Sequence, residues 1–508
     1  MECDYIIIGA GTAGCVLAER LSASGRHRVL IVEAGGKPRN PFVRIPAGFG
    51  KLFKSGCDWD YSTEPQSGAG DREIYVPRGR MLGGSANLNA QIHQWAHPAD
   101  MDEWGVPGWG WGEVATVFRD LESELAAEPN RHAHPAAGSF VEAARELIGN
   151  SGTRYNGTAF EGAWIAETAT QRGRRHSVYE THLKPALRRA NCTALTGAKV
   201  ERVHFDQGRA VGISILGTKA SADIHATAGV IVSAGAIETP ALLMRSGIGD
   251  GDALRQLGID TRVHAPAVGR NLHDHPMAVP TFATVHEDTY KSAESLRNLL
   301  RYLICKRGPL ASNAAEAIAF ARSSAELTAP DIELLFTPLE WREQALEPPA
   351  IHAFSIGVAV VAPKSRGRIR LASSDPRQPP VIDFGIFSDP GGADRAAMLA
   401  GLRLARRVAA TAPLARHLKS EHAPGKAAAH DDELFAWICR EVQTVYHPAG
   451  SARMGSARDS VVSPHLIVHG TERLWVADAS VMPSLVRGHP NTTVAMIAAR
   501  AAELIQAA

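Results

Sequence analysis

A glycine-punctuated turn near the amino terminus carries the first residues whose spacing suggests chemistry. Gly9, Gly11 and Gly14 occur in the pattern GxGxxG, with Thr12 and Ala13 inside it. Glycines at these positions allow a tight turn, a close approach of the backbone to a ligand and close packing of a helix on a strand. The free N–H groups and the dipole at the start of that helix attract phosphate. The pattern therefore predicts a site for the pyrophosphate of a dinucleotide.

An acidic residue follows the turn at the distance that a ribose site requires. Glu33, with Ala34 directly after it, ends an apolar run roughly 20 residues beyond the glycines. A carboxylate at this position binds the hydroxyls of an unphosphorylated ribose. NAD and FAD share that ribose, so the two motifs predict a dinucleotide without choosing between them.

The elements that must position this site are a strand, a helix and a second strand. The apolar run Asp4–Ile8 precedes the turn, apolar residues recur at helical spacing over Thr12–Ser24, and Val29–Val32 is a second apolar run. This order is typical of a βαβ unit, and it predicts a dinucleotide-binding fold at the start of the chain.

Later segments follow other patterns. Turns rich in Pro, Ser, Asp and Gly separate four apolar segments that predict an antiparallel sheet in a second domain: Ile332–Phe336, Phe354–Val361, Ile369–Leu371 and Val381–Phe384. Helices are predicted at Ala396–Ala410, Asp431–Val442 and Thr493–Ile505, and a further strand of the first domain at Leu474–Ala477. Because 508 residues exceed what one core usually organises, two or more domains are expected.

Six longer sequence blocks occur one after another along the chain. Together they indicate a family more specifically than the GxGxxG motif does. They read PRGRMLGGSANLN with HPAD, SAGAIETP with LLMRSGIG, VGRNLHDHP, SRGRI, HPAGSARMG, and VADASVMP with HPNTT, and they cover 77–100, 233–249, 268–276, 365–369, 447–455 and 476–493. On these residues the chain resembles the glucose-methanol-choline (GMC) family of FAD-dependent oxidoreductases along almost its whole length.

The resemblance implies a fold class and a domain arrangement. The fold is expected to be α/β, with a Rossmann-like FAD-binding domain assembled from discontinuous segments and an α+β substrate domain that contains an antiparallel sheet. We expect the FAD-binding domain to comprise 1–150, 190–280 and 435–508, and the substrate-binding domain to comprise 151–189 and 281–434.

The resemblance also implies cofactor contacts beyond the glycine turn, Glu33 and Ala34. They are Met81, Leu82, Gly83, Gly84, Ser85, Asn89, Ala90, Gln91, Ile92, Val200, Ala234, Asp478, Ala479, Pro490, Asn491 and Thr492. For Asp478, capping of a helix is the alternative. Some relatives attach FAD through a histidine in the first block, and the matching position here is Leu88, so we predict noncovalent FAD.

Two catalytic positions follow from the same resemblance. His447, in the context Tyr446-His447-Pro448, matches the family's catalytic histidine, and an imidazole near its ordinary pKa suits the base that removes a hydroxyl proton. The second position is His or Asn in the family, and both His489 and Asn491 are candidates. Counting back from the last helix favours His489, while Asn491 could instead contact the flavin or cap that helix. Trp341, Tyr446, His93 and Trp95 are candidates for the substrate pocket.

The implied activity is oxidation of an alcohol to an aldehyde or ketone, with a histidine removing the proton while a hydride passes to flavin N5. A primary alcohol is expected, and aromatic or otherwise bulky alcohols are among the candidates. Oxygen or a quinone-like compound would take the electrons. Within the same fold, a flavin-containing hydroxynitrile lyase and a light-driven fatty-acid decarboxylase are the alternatives.

Composition excludes several other classes. Lys and Arg number 54 against 53 Asp and Glu, so no bulk positive field attracts nucleic acid. The six cysteines are scattered without a CxxC pair and are expected to be reduced. No apolar run reaches the roughly 20 residues that span a bilayer, and no signal segment precedes the first strand, so a cytoplasmic location is expected.

Two short histidine motifs do not predict a metal site. His132 and His134 flank one alanine, and His273 and His275 flank Asp274, but neither motif has further ligands nearby in the sequence. We expect the first to lie in an exposed loop and the second to be structural.

Overall fold

The structure is a computed structural model that describes residues 2–149, 152–157, 160–217, 222–456 and 459–507. It contains two large sheets, and the apolar runs of the sequence form their buried strands. The first sheet has seven strands, in the spatial order Cys192–Thr196, Val29–Glu33, Glu2–Ile8, Ala222–Val232, Arg209–Ile215 and Val200–Asp206, with Leu474–Val476 beside the end of Ala222–Val232.

The first sheet is mostly parallel, as the βαβ unit predicts. Glu2–Ile8 pairs in parallel with Val29–Glu33 and with Ala222–Val232, and Leu474–Val476 extends the parallel part. Ile6, Ile7 and their neighbours are fully buried, because helices cover both faces of a parallel sheet. The first helix, observed at Thr12–Ser22, packs against the last helix, Asn491–Ala507.

The second sheet has eight antiparallel strands. In spatial order they are Leu418–Ala423, Thr281–Thr284, Ala353–Val360, Ile332–Thr337, Ala317–Ala321 and Gly162–Ile165, with Pro276–Ala278 between Ala353–Val360 and Gln443–Thr444. These two sheets confirm the predicted α/β fold class with an added antiparallel sheet. The strands Pro276–Ala278 and Gln443–Thr444 lie inside ranges predicted for the cofactor domain, and the domain boundaries stay a prediction.

Two predicted strands pair elsewhere than expected. The segments predicted at Ile369–Leu371 and Val381–Phe384 form strands Gly367–Arg370 and Val381–Asp383. They belong to a separate three-stranded sheet in which Gly367–Arg370 lies between Arg270–Leu272 and Val381–Asp383. Their assignment to the large antiparallel sheet was wrong. Local apolar patterning predicts that a segment is extended, whereas its partner depends on where distant segments pass.

The remaining elements surround these sheets. The other α-helices are Pro98–Glu103, Trp111–Leu125, Pro135–Ile148, Lys184–Ala186, Gly235–Arg245, Gly251–Gln256, Leu296–Cys305, Ala393–Ala410, Ala412–Ala415 and Asp431–Glu441. Two-residue strands pair as Tyr61–Ser62 with Tyr75–Val76, Glu128–Pro129 with Glu167–Thr168, Thr170–Gln171 with Arg174–Arg175, and Ile248–Gly249 with Val263–His264. All six cysteines are free, and no described helix is long and apolar enough to cross a bilayer.

Candidate active site

One cavity of about 2150 Å³, including its open mouth, lies between the two large sheets. Its wall includes Ile8, Val32 and Ser233 at the ends of parallel strands, and Met277 and Leu335 from the antiparallel sheet. Ligands of α/β proteins bind beyond the carboxyl ends of such strands. The lining of the cavity extends from Gly9 in the glycine turn to His447 and His489, so the predicted cofactor turn and the predicted catalytic histidines face the same space.

Most of the residues predicted to contact the cofactor line this cavity. They are Gly9, Gly11, Thr12, Ala13, Glu33, Ala34, Gly84, Ser85, Asn89, Ala90, Gln91, Ile92, Val200, Ala234, Asp478, Ala479, Pro490 and Asn491. Five predicted residues do not line it: Gly14, Met81, Leu82, Gly83 and Thr492. One of these five, Gly14, lies so close to Gly9 that a Cβ atom there would be 1.9 Å from the Gly9 carbonyl oxygen.

The glycine turn has the shape that a phosphate site needs. Gly9 has φ of +99°, and a Cβ atom there would lie 2.4 Å from the carbonyl oxygen of Ser233. In contrast, a Cβ atom on Gly11 would meet no atom within 4 Å, so open space lies above the backbone at the start of the first helix. The turn is therefore packed tightly on its protein side and open on its cavity side, as a pyrophosphate requires.

Glu33 holds the turn in place. Its carboxylate accepts hydrogen bonds from the backbone N–H groups of Ala10 at 2.9 Å and Gly35 at 2.7 Å. Burial raises the pKa of this carboxyl group above its usual range. Each carboxylate oxygen keeps a further lone pair, and Glu33 and Val200 both face the cavity, so the predicted ribose contact fits the geometry.

A buried arginine, Arg175, fixes the loop Asn89–Ile92. Arg175 donates hydrogen bonds to Asn89 Oδ1 at 2.7 Å and to the Asn89 carbonyl at 2.8 Å. Burial lowers the pKa of Arg175 to about 9. Gln91, two residues on, has φ of +63°, a conformation that non-glycine residues rarely adopt without support. Sequence reasoning missed Arg175, which no motif marks.

Asp478 joins two helical turns at the floor of the cavity. Its carboxylate accepts from the Gly235 N–H at 2.8 Å, the Thr239 hydroxyl at 2.6 Å and the Ser480 N–H at 2.8 Å. The capping role considered for Asp478 is therefore present, and the residue lines the cavity as well. A Cβ atom on Gly235 would meet nothing within 4 Å, which leaves this backbone accessible to a ligand.

His447 and His489 face each other across the inner end of the cavity. Their ring centroids are 5.0 Å apart and the rings are nearly perpendicular, at 84°. His447 Nδ1 lies 3.2 Å from Nδ1 of His275, and the His447 backbone N–H donates to Asp274 at 2.8 Å. Burial, aided by the positive charges that His489, His275 and Arg78 can carry, holds the pKa of His447 well below its ordinary value. Burial and these neighbouring charges therefore favour the neutral form of the His447 ring.

His489 is oriented by a buried carboxylate. Its Nε2 lies 2.9 Å from Oε1 of Glu333, whose side chain is fully buried, and its backbone N–H donates to Gln94 at 3.1 Å. The carboxylate oxygen accepts a hydrogen bond from Nε2–H, which leaves Nδ1 as the ring nitrogen available to a ligand. Glu333 lies on strand Ile332–Thr337 and was not predicted from the sequence.

Asn491 has a different partner from the two histidines. Its Oδ1 accepts a hydrogen bond from the Thr12 hydroxyl at 2.7 Å, and the last helix begins at this residue. Asn491 thus ties that helix to the start of the first helix, at the glycine turn. This contact fits the cofactor role considered for Asn491 better than the catalytic role.

The space in front of the histidine pair is apolar. Its apolar lining residues are Phe49, Phe53, Met277, Val279, Ala314, Ala315, Leu335, Trp341 and Val445. Trp341 Nε1 and the Tyr446 hydroxyl are buried without a protein partner, and both residues line the cavity, as expected. Tyr446 has φ of +65°, and Arg78 donates to its carbonyl oxygen at 2.7 Å. The other two candidates, His93 and Trp95, do not line the cavity.

An aromatic and charged cluster closes the opposite end. Trp59 and Tyr61 stack with centroids 5.6 Å apart, and Lys199 Nζ lies 5.0 Å from the Trp59 ring centroid. Glu238 accepts from Tyr61 at 2.7 Å and pairs with Arg245 at 3.1 Å. Stacked aromatic side chains suit contact with a planar base. No sequence motif marks this cluster, so it was not predicted from the sequence.

A histidine group lies away from the cavity wall. His134, His286 and Asp288 each offer a ligand atom within 4.8 Å of the others, and His286 Nε2 lies 2.7 Å from His417 Nδ1. His134 caps helix Pro135–Ile148 by accepting from the Ala136 N–H. The sequence had shown no partners for His134, because they lie more than 150 residues away.

Comparison with known proteins identifies relatives over the full length. Two family models described as GMC oxidoreductase match residues 3–277 and 363–498. An uncharacterized GMC-type oxidoreductase of Mycobacterium tuberculosis is 42% identical, with 99% of each chain covered. An alcohol dehydrogenase [acceptor] of Pseudomonas putida is 35% identical over 99% of this chain and 95% of the relative. The crystal structure of pyridoxine 4-oxidase from Mesorbium loti is 30% identical, with a TM-score of 0.88 and coverage of 99% and 98%.

Proposed function

The chain belongs to the GMC oxidoreductase family, and we propose that it oxidises an uncharged, bulky and apolar primary alcohol to the aldehyde. Oxidation of a CH–OH donor with FAD as the cofactor is the activity that its relatives support. The observation that carries the proposal is the perpendicular pair of His447 and His489, 5.0 Å apart, in front of an apolar chamber.

The cavity fits FAD on several independent points. Gly11 and Gly235 leave open space above their backbones, and the Glu33 carboxylate lines the same cavity. Trp59 and Tyr61 line the far end. When bound there, FAD would supply the acceptor for the hydride of the alcohol carbon. Leu88 lines the cavity and has no nucleophilic atom, which supports noncovalent binding.

His447 is the proposed base. Its Nδ1 faces His275 at 3.2 Å, and its pKa lies well below the ordinary value, so the ring is neutral and ready to accept a proton. We assign the accepting lone pair to Nε2, with the Nδ1 proton donated to His275. Proton removal strengthens the donor character of the alcohol carbon at the moment of transfer.

His489 is the proposed second catalytic residue. Its contact to Glu333 at 2.9 Å fixes the ring, and a protonated Nδ1 would donate a hydrogen bond to the same substrate oxygen, whose own proton passes to His447. Two imidazoles directed at one oxygen would hold the alcohol with its carbon toward the cofactor. Asn491 is assigned to the cofactor side because its amide oxygen is bonded to Thr12.

The substrate class follows from the lining of the chamber. Among the described residues, three carboxylates line the cavity, Glu33, Glu238 and Asp478, and none of them is bonded to a residue of the apolar lining. A cationic alcohol would therefore find no charged partner. The aromatic and aliphatic wall formed by Phe53, Trp341 and Leu335 favours an apolar body attached to the reacting CH–OH group.

Anaerobic mixing of the purified holoenzyme with an alcohol panel tests this proposal. Benzyl alcohol and long-chain primary alcohols should bleach the flavin absorbance, and choline should bleach it far more slowly. Air or a soluble quinone would then restore the colour and identify the acceptor. Oxidised flavin that persists with every alcohol would overturn the proposal, as would cyanide release from a cyanohydrin without bleaching, or formation of a hydrocarbon from a fatty acid only under blue light.

A further inference from the structure

Helix Leu296–Cys305 turns its apolar face toward solvent. Five side chains at positions i, i+3, i+4, i+7 and i+8 form one continuous stripe, with exposed fractions that are large for aliphatic residues: Leu296 71%, Leu299 39%, Leu300 47%, Leu303 56% and Ile304 78%. Tyr302, on the opposite side, is the buried residue of the helix. Soluble domains rarely expose so contiguous an apolar surface unless something binds it.

Basic residues surround this stripe. Arg297 and Arg301 lie along one edge of the stripe, and Lys306 and Arg307 follow the helix. Among the described residues, no carboxylate pairs with Arg297, Arg301 or Arg307. The formal charge of the whole chain is only +1, so an attraction to anionic surfaces would depend on a local group of basic residues such as this one.

A neighbouring hairpin adds further positive charge. Its strands are Thr170–Gln171 and Arg174–Arg175, and exposed Arg172 and Arg174 lie at or beside its tip. The tip packs against the end of the helix, where a Cβ atom on Gly173 would be 2.3 Å from the Lys306 carbonyl oxygen. The nearest acidic residue before the helix, Glu294, is already paired with Lys51 at 2.8 Å.

The helix is attached to the wall of the active-site cavity. The Tyr290 hydroxyl, before the helix, donates to the Pro309 carbonyl at 3.0 Å and accepts from the Ala314 N–H at 3.1 Å. Ala314 and Ala315 line the apolar chamber. Whatever binds the helix is therefore held next to that chamber.

We propose that helix Leu296–Cys305 is a membrane-docking surface that lies flat in the headgroup region of an anionic lipid bilayer. A helix with an apolar stripe flanked by arginines binds such interfaces by burying the stripe while the basic side chains contact lipid phosphates. Ten residues make a helix of about 15 Å, which is suited to lying on a bilayer and too short to cross it.

A second copy of the chain is a less suitable occupant. A symmetric dimer would place the same patch on both subunits and bring Arg297, Arg301 and Arg307 of each close to those of the other. Like charges at an interface oppose association. An anionic lipid surface instead complements the stripe and its basic border together.

Vesicle co-sedimentation of the holoenzyme tests the inference without using its activity. The probes are phosphatidylcholine vesicles with and without phosphatidylglycerol. The parent protein should bind the anionic vesicles, and added salt should weaken the binding. The triple variant Leu296→Gln, Leu300→Gln, Ile304→Gln should lower the partition coefficient at least tenfold. The pair Arg297→Gln, Arg301→Gln should lower it roughly fivefold per arginine.

A matched variant controls for loss of exposed apolar surface in general. Val285→Gln with Leu327→Gln replaces two other exposed aliphatic side chains and should bind as the parent does. All variants should keep parent-like flavin absorbance and thermal midpoints, because the changed side chains are exposed. Equal binding of parent and triple variant, or no preference for anionic lipid, would overturn the inference. A parent dimer in light scattering that the triple variant dissociates, without vesicle binding, would assign the face to a second copy.

Discussion

His275 Nδ1 lies 3.2 Å from His447 Nδ1, although the two histidines are 172 residues apart in the chain. Burial lowers the pKa of His275 to about 3 and that of His447 well below its ordinary value, so both rings are neutral. Two neutral imidazoles at this distance share one hydrogen bond, with one ring as donor and the other as acceptor. If His447 is the donor, its Nε2 is fixed as a lone pair, and His275 sets the tautomer of the proposed base.

Replacement of His275 should therefore slow catalysis without loss of bound flavin. We expect His275→Phe, which removes the acceptor, to lower kcat roughly 10–100-fold, as loss of an orienting partner does elsewhere. His275→Asn, which keeps an acceptor, should lose less. Steady-state kinetics with flavin content measured in parallel checks this. His182→Asn is the control, because His182 is a buried histidine bonded to Glu124 outside the cavity. Parent-like turnover of His275→Phe would remove His275 from the mechanism.

The pH profile should report the lowered pKa of His447. A base is active when unprotonated, so activity is lost as pH falls through the pKa of the folded state. Since burial holds that pKa well below the ordinary value of about 6.5, kcat/KM should stay level from about pH 6.5 to 8 and decline only in more acidic buffer. If kcat/KM instead fell toward acid with a midpoint at or above about pH 6.5, that profile would contradict a neutral, buried His447.

Removal of the His447 imidazole should abolish most of the activity. General-base assistance is typically worth about 10²–10⁴-fold, and we expect His447→Ala to lower kcat by that amount while the protein still binds flavin. Single-turnover flavin reduction under anaerobic conditions is the appropriate measurement, because it excludes effects on reoxidation. A loss of only a few-fold would show that another group takes the proton.

His489 and Asn491 should give different kinds of defect. His489→Ala removes a ring that faces His447 and should lower the rate of flavin reduction. Asn491→Ala breaks the hydrogen bond from Thr12 at 2.7 Å and should weaken flavin retention while the flavin that remains is reduced at near-parent rate. Flavin content per chain and the rate per bound flavin separate the two. The reverse pattern would make Asn491 the catalytic partner.

Acid denaturation should release the flavin completely. Leu88 occupies the position at which some relatives attach FAD through histidine, and among the described residues no cysteine lines the cavity. Precipitation with trichloroacetic acid should leave a colourless pellet and a yellow supernatant. A yellow pellet would show a covalent bond, and peptide mapping would then locate it, with His447 and His489 as the histidines to test first.

Most of the segments that local patterns singled out as cofactor contacts line the cavity. The turn Gly9 to Ala13, Glu33 and the loop Asn89–Ile92 all line the cavity, because each is a contiguous segment whose backbone shape depends on its own glycines and neighbours. The sequence patterns did not distinguish residues that line the cavity from residues that pack near it. Met81 and Leu82 were therefore expected to contact the ligand, but neither lines the cavity. The patterns also misplaced strand Gly367–Arg370, whose partner comes from residues 270–272.

The sequence by itself determined the family, the βαβ opening and the two histidines with which the catalytic proposal begins, because these are recorded in short runs of residues. Only the tertiary structure decided what those histidines do. Glu333 reaches His489 across 156 residues, His275 reaches His447 across 172, and Arg175 reaches Asn89 from a separate hairpin. The protonation and orientation of a buried imidazole depend on the atoms within hydrogen-bond distance and on exclusion of water, and both arise only when distant segments pack together.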